Sequence, residues 1–309
     1  MQGLAWAMVF VVLDAAQAVY FGGVLQRHDA FLLGGTVFGL SAAGCLAWTA
    51  IRAPKDLRQA LGQGRALAGL NISVAGAFVA YFHALQMIEP AVAFALFAGV
   101  IPIVTIIAGR VGIGEAERSR NRIEAVGNAT IVAGLSLLAI ATVLGLSGFV
   151  RGGAVVAAAG VALAVVAGAF ITFMLLCSAR LDAAGVGPVA QYGLRFPLYL
   201  VVAACGVALG LDAKGPVTAT DFAVAVAIGM VLLAFPIYAV QKAVSLVTPL
   251  TIGSIAATSP LIVFVMQIVE GRVAVSGATA AGLTVYFAGA LVAAWGGFLA
   301  TGGRDRTRT

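Results

Sequence analysis

Four ionisable side chains lie inside stretches of this chain that are otherwise apolar. They are Asp14, His83, Arg195 and Lys242. A charged side chain at the centre of a bilayer costs about 2.5–3.5 kcal/mol on insertion scales, and such residues normally face a cavity or one another. Arginine and lysine donate charge-assisted hydrogen bonds to carboxylates, and aspartate accepts them from ammonium groups. The four residues therefore predict a polar binding site inside a membrane protein.

Polar neighbours extend these positions into polar faces, because residues three or four apart share one side of a helix. We predict that the substrate-binding residues are Asp14, Gln17, His83, Gln86, Tyr238, Gln241, Lys242 and Ser245. A second group of candidates, three aromatic residues and one cation, consists of Tyr20, Tyr81, Phe82 and Arg195.

Two of these residues occupy matching places before a proline. His83 lies seven residues before Pro90, and Lys242 lies seven residues before Pro249. Seven residues of helix span about 10 Å, which places both side chains within roughly 5 Å of the membrane midplane. Simpler roles stay open, with His83 as a packing residue and Lys242 as the neutralising partner of Asp14.

Arg195 and two prolines also have two interpretations each. Arg195 either lines the site or extends its long side chain to the membrane surface. Pro102 and Pro260 interrupt apolar segments, and we predict them to be hinges. A simple kink is the alternative, because neighbouring helices can satisfy the carbonyls that a proline frees.

Catalytic and metal-binding patterns are missing from the sequence. The two histidines are His28 and His83, and there is no HExxH, GxSxG or nucleotide-binding loop. The cysteines Cys45, Cys177 and Cys205 have no metal-ligand spacing and all fall in apolar segments. We therefore expect no enzyme activity, no cofactor and no metal.

The composition predicts a protein made almost entirely of membrane spans. Hydrophobic residues make up 62% of the 309 residues and charged residues 10%, with a mean hydropathy of +1.08. A span needs roughly 20 apolar residues to cross a hydrocarbon core of about 30 Å. Ten spans are predicted, at about 4–25, 31–51, 66–88, 90–110, 124–148, 153–178, 187–211, 221–246, 248–269 and 275–300.

The basic residues predict the orientation of these spans. With the N-terminus inside, twelve lysines and arginines fall in the inner loops and tail and four in the outer loops. Cytoplasmic loops carry an excess of such residues, so both termini are expected in the cytoplasm. The expected surroundings are a bilayer and a small-molecule substrate, without nucleic acid, and the chain is compatible with a monomer.

The hydrophobic pattern occurs twice. Gly127 and Gly134 lie 155 residues before Gly282 and Gly289, and only small gaps separate the copies elsewhere. Five spans per half is an odd number, so the second half enters the membrane from the opposite side. Inverted repeats of this kind place a central site at the repeat interface. We expect that cavity between predicted spans 1, 3, 4, 6, 8 and 9, in a chain divided into repeats 1–149 and 150–300 and a tail 301–309.

At this point the chain resembles the drug/metabolite transporter superfamily, specifically its ten-helix EamA type. The arrangement of matching stretches along both halves carries the resemblance, since each stretch alone is degenerate. One departure is visible: a basic residue common in the second helix of each repeat is present as Arg195 but absent from the first copy. The matching stretches are 81–90, Ile101-Pro102, 114–127, Ser259-Pro260 and 280–289.

The resemblance implies an all-α membrane fold and a secondary transporter working by alternating access. Its substrates would be small amphipathic metabolites, foremost amino acids including aromatic ones, exported across a bacterial inner membrane. Lys242 with Arg195 would bind the carboxylate, and Asp14 the ammonium. The alternatives are an organophosphate or nucleotide-sugar exchanger, a drug exporter, and, ranked below these, a passive channel.

Overall fold

The structure, a computed structural model, describes residues 2–111, 122–236, 239 and 258–305. Within these ranges the regular elements are helices, and extended pairing is limited to one isolated antiparallel bridge between Ile88 and Val150. The expectation of an all-α protein is thereby confirmed. Four predicted site residues lie outside the described residues, namely Tyr238, Gln241, Lys242 and Ser245.

Eight of the described helices are long and apolar enough to cross a membrane, which fits a multi-pass membrane protein. They are α1 (Gln2–Leu25), α2 (Ala30–Arg52), α4 (Gly64–Met87), α5 (Pro90–Arg110), α6 (Arg122–Val143), α7 (Ala154–Ala183), α8 (Pro188–Ala208) and α11 (Gly277–Asp305). Two shorter apolar helices are α9 (Ala219–Leu233) and α10 (Ser259–Glu270), and a short polar helix, α3 (Pro54–Gly62), joins α2 to α4.

Local chemistry explains where several helices begin. The Asp29 carboxylate accepts hydrogen bonds from the backbone N–H groups of Phe31 at 2.8 Å and Leu32 at 2.9 Å, which caps α2. Pro90 opens α5 because it has no N–H to lose in the first turn, and it keeps the preceding residue out of helical geometry. The helices α4 and α5 are therefore separate.

The helices α6 and α11 run antiparallel and approach each other closely along their backbones. A Cβ placed on Gly127 would meet the backbone of Ala293, and one on Gly134 would lie 2.5 Å from the backbone nitrogen of Tyr286. From the other helix, Gly282 faces Leu138 and Gly289 faces the backbone of Ile131. The glycines that mark the repeat in the sequence are thus the residues that let these two backbones touch.

We expect Gly134→Ala to destabilise the protein by about 1–3 kcal/mol, since an extra methyl group in a filled interface forces the backbones apart. Gly44→Ala is the matched control, because a Cβ there has no neighbour within 4 Å and alanine favours a helix. Melting in detergent, followed by intrinsic fluorescence, should show a lower midpoint for Gly134→Ala only. Equal midpoints for the two variants would contradict this packing.

Candidate functional site

A cavity of about 680 Å³ lies between α1, α4, α5, α7 and α8, with the end of α9 and the first residue of α10 completing its wall. All six predicted spans expected around a central cavity, 1, 3, 4, 6, 8 and 9, contribute residues to this wall, the ninth through Ser259. The seventh predicted span was not expected there, but it also lines the cavity. Most of the wall is apolar, and its aromatic residues are Phe10, Phe78, Tyr81, Phe94 and Phe97.

Opposite charges line this cavity. Asp14 and Gln17 reach it from α1, and Arg195 and Gln191 reach it from α8. Among the described residues, the Asp14 carboxylate has no hydrogen-bond or ion-pair partner. The Tyr81 hydroxyl also lines the cavity and is buried without a partner in the same part of the chain. Polar groups left unsatisfied in an apolar wall are the usual means of orienting a ligand.

Arg195 sits where α8 is interrupted. The helix consists of Pro188–Leu194 and Pro197–Ala208, and Pro197 explains the break because it cannot donate a helical hydrogen bond. The Arg195 side chain is 9% exposed. Its Nε donates to the Gln191 carbonyl at 3.4 Å, and its guanidinium lies 5.5 Å from the centre of the Tyr192 ring. Arg195 therefore lines the cavity and does not extend to the surface.

Asn71 of α4 satisfies the backbone groups that this break leaves unpaired. Its Nδ2 donates to the Leu194 carbonyl at 2.8 Å, and its Oδ1 accepts from the Leu198 N–H at 3.2 Å. A buried backbone group without a partner costs about 1–3 kcal/mol. One side chain thus fixes the broken segment that carries Arg195.

Asn71→Leu should lower stability by about 2–4 kcal/mol, because it orphans the Leu194 carbonyl and the Leu198 N–H together. Thr172→Val is the control, since Thr172 is buried but donates only to its own helix, at Gly168. Urea or thermal unfolding in detergent measures the difference. A loss no larger than that of the control would show that the break does not depend on Asn71.

Gln17 reaches the cavity from an unusual turn of α1. Residues Gln17–Phe21 form a π-helical turn, in which the Gly22 N–H bonds back to the carbonyls of Gln17 and Val19. Such turns commonly occur at functional sites. The side chain of Gln17 is 7% exposed and that of the neighbouring Val19 is fully buried.

The cavity extends towards the end of the bundle that holds the turn between α7 and α8, because Asp182 and Pro188 line it. We call this the mouth end. At the mouth end α3 packs beside the same turn, with the Asp56 carboxylate accepting from the Gly187 N–H at 2.9 Å. The opposite end, which we call the closed end, holds the connections α1–α2, α4–α5 and α10–α11, and no described residue of these connections lines the cavity.

A buried carboxylate ties the helices together at the closed end. Glu89, fully buried between α4 and α5, accepts from the Gly148 N–H and the Thr279 hydroxyl, each at 2.7 Å, and from the Gln267 amide. Gln267 in turn accepts from the Ala91 N–H at 3.1 Å. Burial raises the pKa of Glu89, and the hydrogen bonds from Thr279, Gly148 and Gln267 oppose that rise. This network joins α5, α10 and α11.

A second polar cluster joins α2 and α4 to the loop after α8. Lys214 Nζ lies 2.6 Å from the Asp212 carboxylate and donates to the Gln86 side chain at 2.7 Å. Asp212 also accepts from the Ala30 N–H at 2.8 Å. Burial acts to raise the pKa of Asp212, but the hydrogen bonds from Lys214, Ala30 and Gln86 and the charge of Lys214 hold the pKa below its usual range.

Several predicted site residues lie away from the cavity. His83 Nδ1 lies 2.7 Å from the Val79 carbonyl oxygen, and the His83 ring packs on Phe31. Gln86 belongs to the cluster at the closed end. Tyr20 is 43% exposed on the outer side of α1, and Phe82 is part of the aromatic core. Thus His83, Gln86, Tyr20 and Phe82 are not cavity residues, whereas Asp14, Gln17, Tyr81 and Arg195 meet there.

The two predicted hinges differ from each other. Pro102 lies inside α5, next to the cavity residue Ile101. Pro260 lies in the first turn of α10, directly after the cavity residue Ser259. A proline in a first turn causes no kink by itself, so of these two prolines only Pro102 lies in the interior of a described helix.

The sequence did not single out Glu89, Gln267 or Thr279 of the closed end. Glu89 stands next to Pro90, and Gln267 and Thr279 lie near helix ends, where polar residues are ordinary. Asn71 is one polar residue inside an apolar span, and its sequence context does not mark it as the partner of a distant helix break. The sequence does contain one feature that could have identified Glu89 and Gln267, because each is a polar residue in or next to a long apolar stretch.

Comparison with known proteins gives the fold alone. No family model and no curated protein matches the chain. Eight solved chains match it. One of them, a crystal structure described only as that of a protein, superposes with a TM-score of 0.62 at 21% sequence identity, over 94% of this chain and 96% of the other. At that identity the likeness extends to the arrangement of helices and not to function.

Proposed function

We propose that this protein is a secondary transporter of the drug/metabolite type that exports small amphipathic metabolites, foremost amino acids including aromatic ones, by alternating access. The observation that carries the proposal is the central cavity. It combines aromatic walls with Asp14 and Arg195 and extends to the mouth end, and no described residue of the closed-end connections lines it. An alternating-access carrier needs a central site that faces one side of the membrane at a time, and a cavity that extends towards one end of the bundle fits this need.

The proposed architecture is ten spans in two inverted five-helix repeats. The contacts between α6 and α11 support it. The repeat offset of 155 residues makes Gly127 equivalent to Gly282, and Leu138 equivalent to Ala293. The contact of Gly127 with Ala293 therefore has its repeat equivalent in the contact of Gly282 with Leu138. Contacts that exchange in this way are those expected of two elements related by a two-fold axis. Because α6 and α11 run antiparallel, that axis is perpendicular to them and lies in the membrane plane.

The proposed orientation places both termini in the cytoplasm of a bacterial inner membrane. Arg52, Lys55, Arg58 and Arg65 lie in or beside α3 at the mouth end. The basic residues at the other end are Arg27, Arg151, Lys214 and Arg272. By the excess of basic residues in cytoplasmic loops, the mouth end is cytoplasmic. With this orientation, the proposal is that the cavity faces inward, towards substrate in the cytoplasm.

The chemistry of the wall favours a zwitterion with an apolar side chain. The Arg195 guanidinium suits a carboxylate, and the Asp14 carboxylate suits an ammonium. Lys242, which lies outside the described residues, stays a predicted partner of the carboxylate. The rings of Phe10, Phe78 and Phe94 would pack on the side chain. A dianionic phosphate ester would call for more cations than the cavity offers among the described residues, so an organophosphate exchanger ranks second.

The proposal is tested with purified protein in two steps. A melting screen against amino acids, sugar phosphates and cationic drugs should show a higher melting temperature with aromatic amino acids, since a ligand at a hundred times its Kd adds about 2.7 kcal/mol of stability. Proteoliposomes loaded with unlabelled phenylalanine should then accumulate labelled phenylalanine by counterflow. Stabilisation by sugar phosphates alone would move the assignment to the exchanger, and flux without counterflow would indicate a channel.

A further inference from the structure

One arginine of the closed end contacts the π turn of α1. Arg272, in the connection between α10 and α11, donates from Nη2 to the Val19 carbonyl at 3.1 Å. Its Nε lies 3.1 Å from the Glu270 carboxylate. Gly271 between them is in the left-handed region, with φ of 77°, which ends α10 and turns the chain towards α1.

The neighbouring glycines of α1 show that the guanidinium needs this space. A Cβ on Gly23 would lie 3.3 Å from Cζ of Arg272, tighter than most Cβ contacts, and 3.4 Å from Oε1 of Glu270, so the guanidinium would have to shift by a few tenths of an ångström. A Cβ on Gly22, one residue earlier, would make only ordinary contacts at 3.8 Å with Leu85. Gly23 is therefore the glycine that leaves room for Arg272, and Gly22 is not.

The π turn connects this contact to the cavity. Val19 lies two residues after Gln17, and the Gly22 N–H bonds to the carbonyls of both. Gln17 and Asp14 line the cavity from the same stretch of α1. A turn with five-residue spacing is less stable than a regular helical turn and persists where outside contacts hold it. Among the residues that the structure describes, Arg272 is the donor that reaches the turn from another helix connection.

We infer that Arg272 is a positioning residue, whose hydrogen bond to the Val19 carbonyl keeps the π turn of α1 in the form that directs Gln17 into the cavity. This inference rests on the proposed function in that the cavity is the substrate site. It assigns the α10–α11 connection a role in shaping that site from the closed end. Movement of the connection away from α1 would then reshape the polar side of the cavity.

The test measures the chemical accessibility of the Gln17 side-chain position and does not require transport. In a chain with Cys45, Cys177 and Cys205 replaced by alanine, the thiol of Gln17→Cys reacts with a charged methanethiosulfonate reagent, and the rate of modification reports how that side chain faces the cavity. Phe10→Cys, also on the cavity wall of α1, is the reference variant. Asp14→Cys takes the place of Gln17→Cys if that variant does not fold.

Four further substitutions are combined with each cysteine variant. Arg272→Gln removes the donor, and Gly23→Ala displaces it sterically. Gly22→Ala and Arg151→Gln are the matched controls, one for adding a methyl group to α1 and one for removing an arginine from the same end.

We expect Arg272→Gln and Gly23→Ala each to change the modification rate of Gln17→Cys at least fivefold. Each should change the rate of Phe10→Cys less than twofold, because Phe10 precedes the π turn. Both controls should leave the two rates within twofold of the parent.

Three results would overturn the inference. The first is an unchanged rate for Gln17→Cys when Arg272→Gln is added. The second is an equal change in the rates of Gln17→Cys and Phe10→Cys, which would mean a general loosening of α1. The third is an effect of Arg272→Gln that Gly23→Ala does not reproduce. A failure of the proposed function shows separately, as absent phenylalanine flux in the parent protein with these rates still measurable.

Discussion

Arg195→Gln is expected to lower the uptake of labelled phenylalanine into proteoliposomes about a hundredfold. Losing one partner of a buried, hydrogen-bonded charge pair costs about 2–5 kcal/mol, and each 1.4 kcal/mol is a factor of about ten. Arg195 lines the cavity and is 9% exposed, so water cannot replace it as the partner of a carboxylate. Initial rates at equal protein density in the vesicles give the comparison, with melting temperatures as the control for folding.

Substrate analogues separate a binding role from a structural one. Phenethylamine has no carboxylate, so its transport should be nearly the same in Arg195→Gln and the parent protein. Phenylpropionate has no ammonium, so its transport should be nearly the same in Asp14→Asn and the parent protein. The transport of phenylalanine should be lower in Asp14→Asn. A loss of all three fluxes in either variant would contradict the assignment of these two charges to the two ends of the substrate.

Glu89→Ala should open the closed end. The substitution leaves the Gly148 N–H, the Thr279 hydroxyl and the Gln267 amide buried without their acceptor, at about 1–3 kcal/mol for each group. An open end exposes these groups to water and removes that cost, so the open form is favoured. We expect an impermeant thiol reagent applied at this end to modify Gly22→Cys at least tenfold faster in the Glu89→Ala background.

Asp221→Ala is the control for Glu89→Ala, because Asp221 is an exposed carboxylate whose partner is Thr218 in its own helix turn. It should leave the rate at Gly22→Cys unchanged. If Glu89→Ala behaves like Asp221→Ala in this assay, the carboxylate network is not what seals the end. A lower melting temperature with no change in labelling would assign Glu89 a role in stability alone.

Much of the fold follows from the sequence because long apolar stretches leave the backbone few alternatives. A backbone in hydrocarbon must satisfy its hydrogen bonds internally, so such stretches become helices. Pro90 separates α4 from α5 as its chemistry requires. The repeated glycines Gly127, Gly134, Gly282 and Gly289 were visible in the sequence, and the structure shows that they form a helix contact.

Other features depend on contacts that a pattern along one chain does not contain. The break in α8 is held by Asn71, 123 residues from its partner Leu194. The π turn of α1 has no marker in its sequence, and Arg272 reaches it from 253 residues away. Helical spacing put His83 and Gln86 on one polar face, but such a face need not line a cavity. His83 instead contacts the Val79 carbonyl of its own helix, and Gln86 donates to Asp212 in the loop after α8.

The central site was predictable in part. Asp14 and Arg195 stood out because charge is expensive in a membrane, and both line the cavity. Tyr20 and Phe82 were chosen only as aromatic neighbours, and an aromatic ring is equally suited to lipid or to a packed core. Lys242, which was predicted with Arg195 as a partner for a carboxylate, lies outside the described residues.

The most direct test of the account is whether the same cavity wall is reached from each side of the membrane in turn. Ala98 lines the cavity from α5, and in a cysteine-free background Ala98→Cys can be labelled with an impermeant thiol reagent from either face of oriented vesicles. We expect labelling from both faces, slowed from both by a transported aromatic amino acid, with no leak of the reagent across the membrane. Labelling confined to one face under all conditions, or a reagent that passes freely through the protein, would contradict an alternating-access carrier.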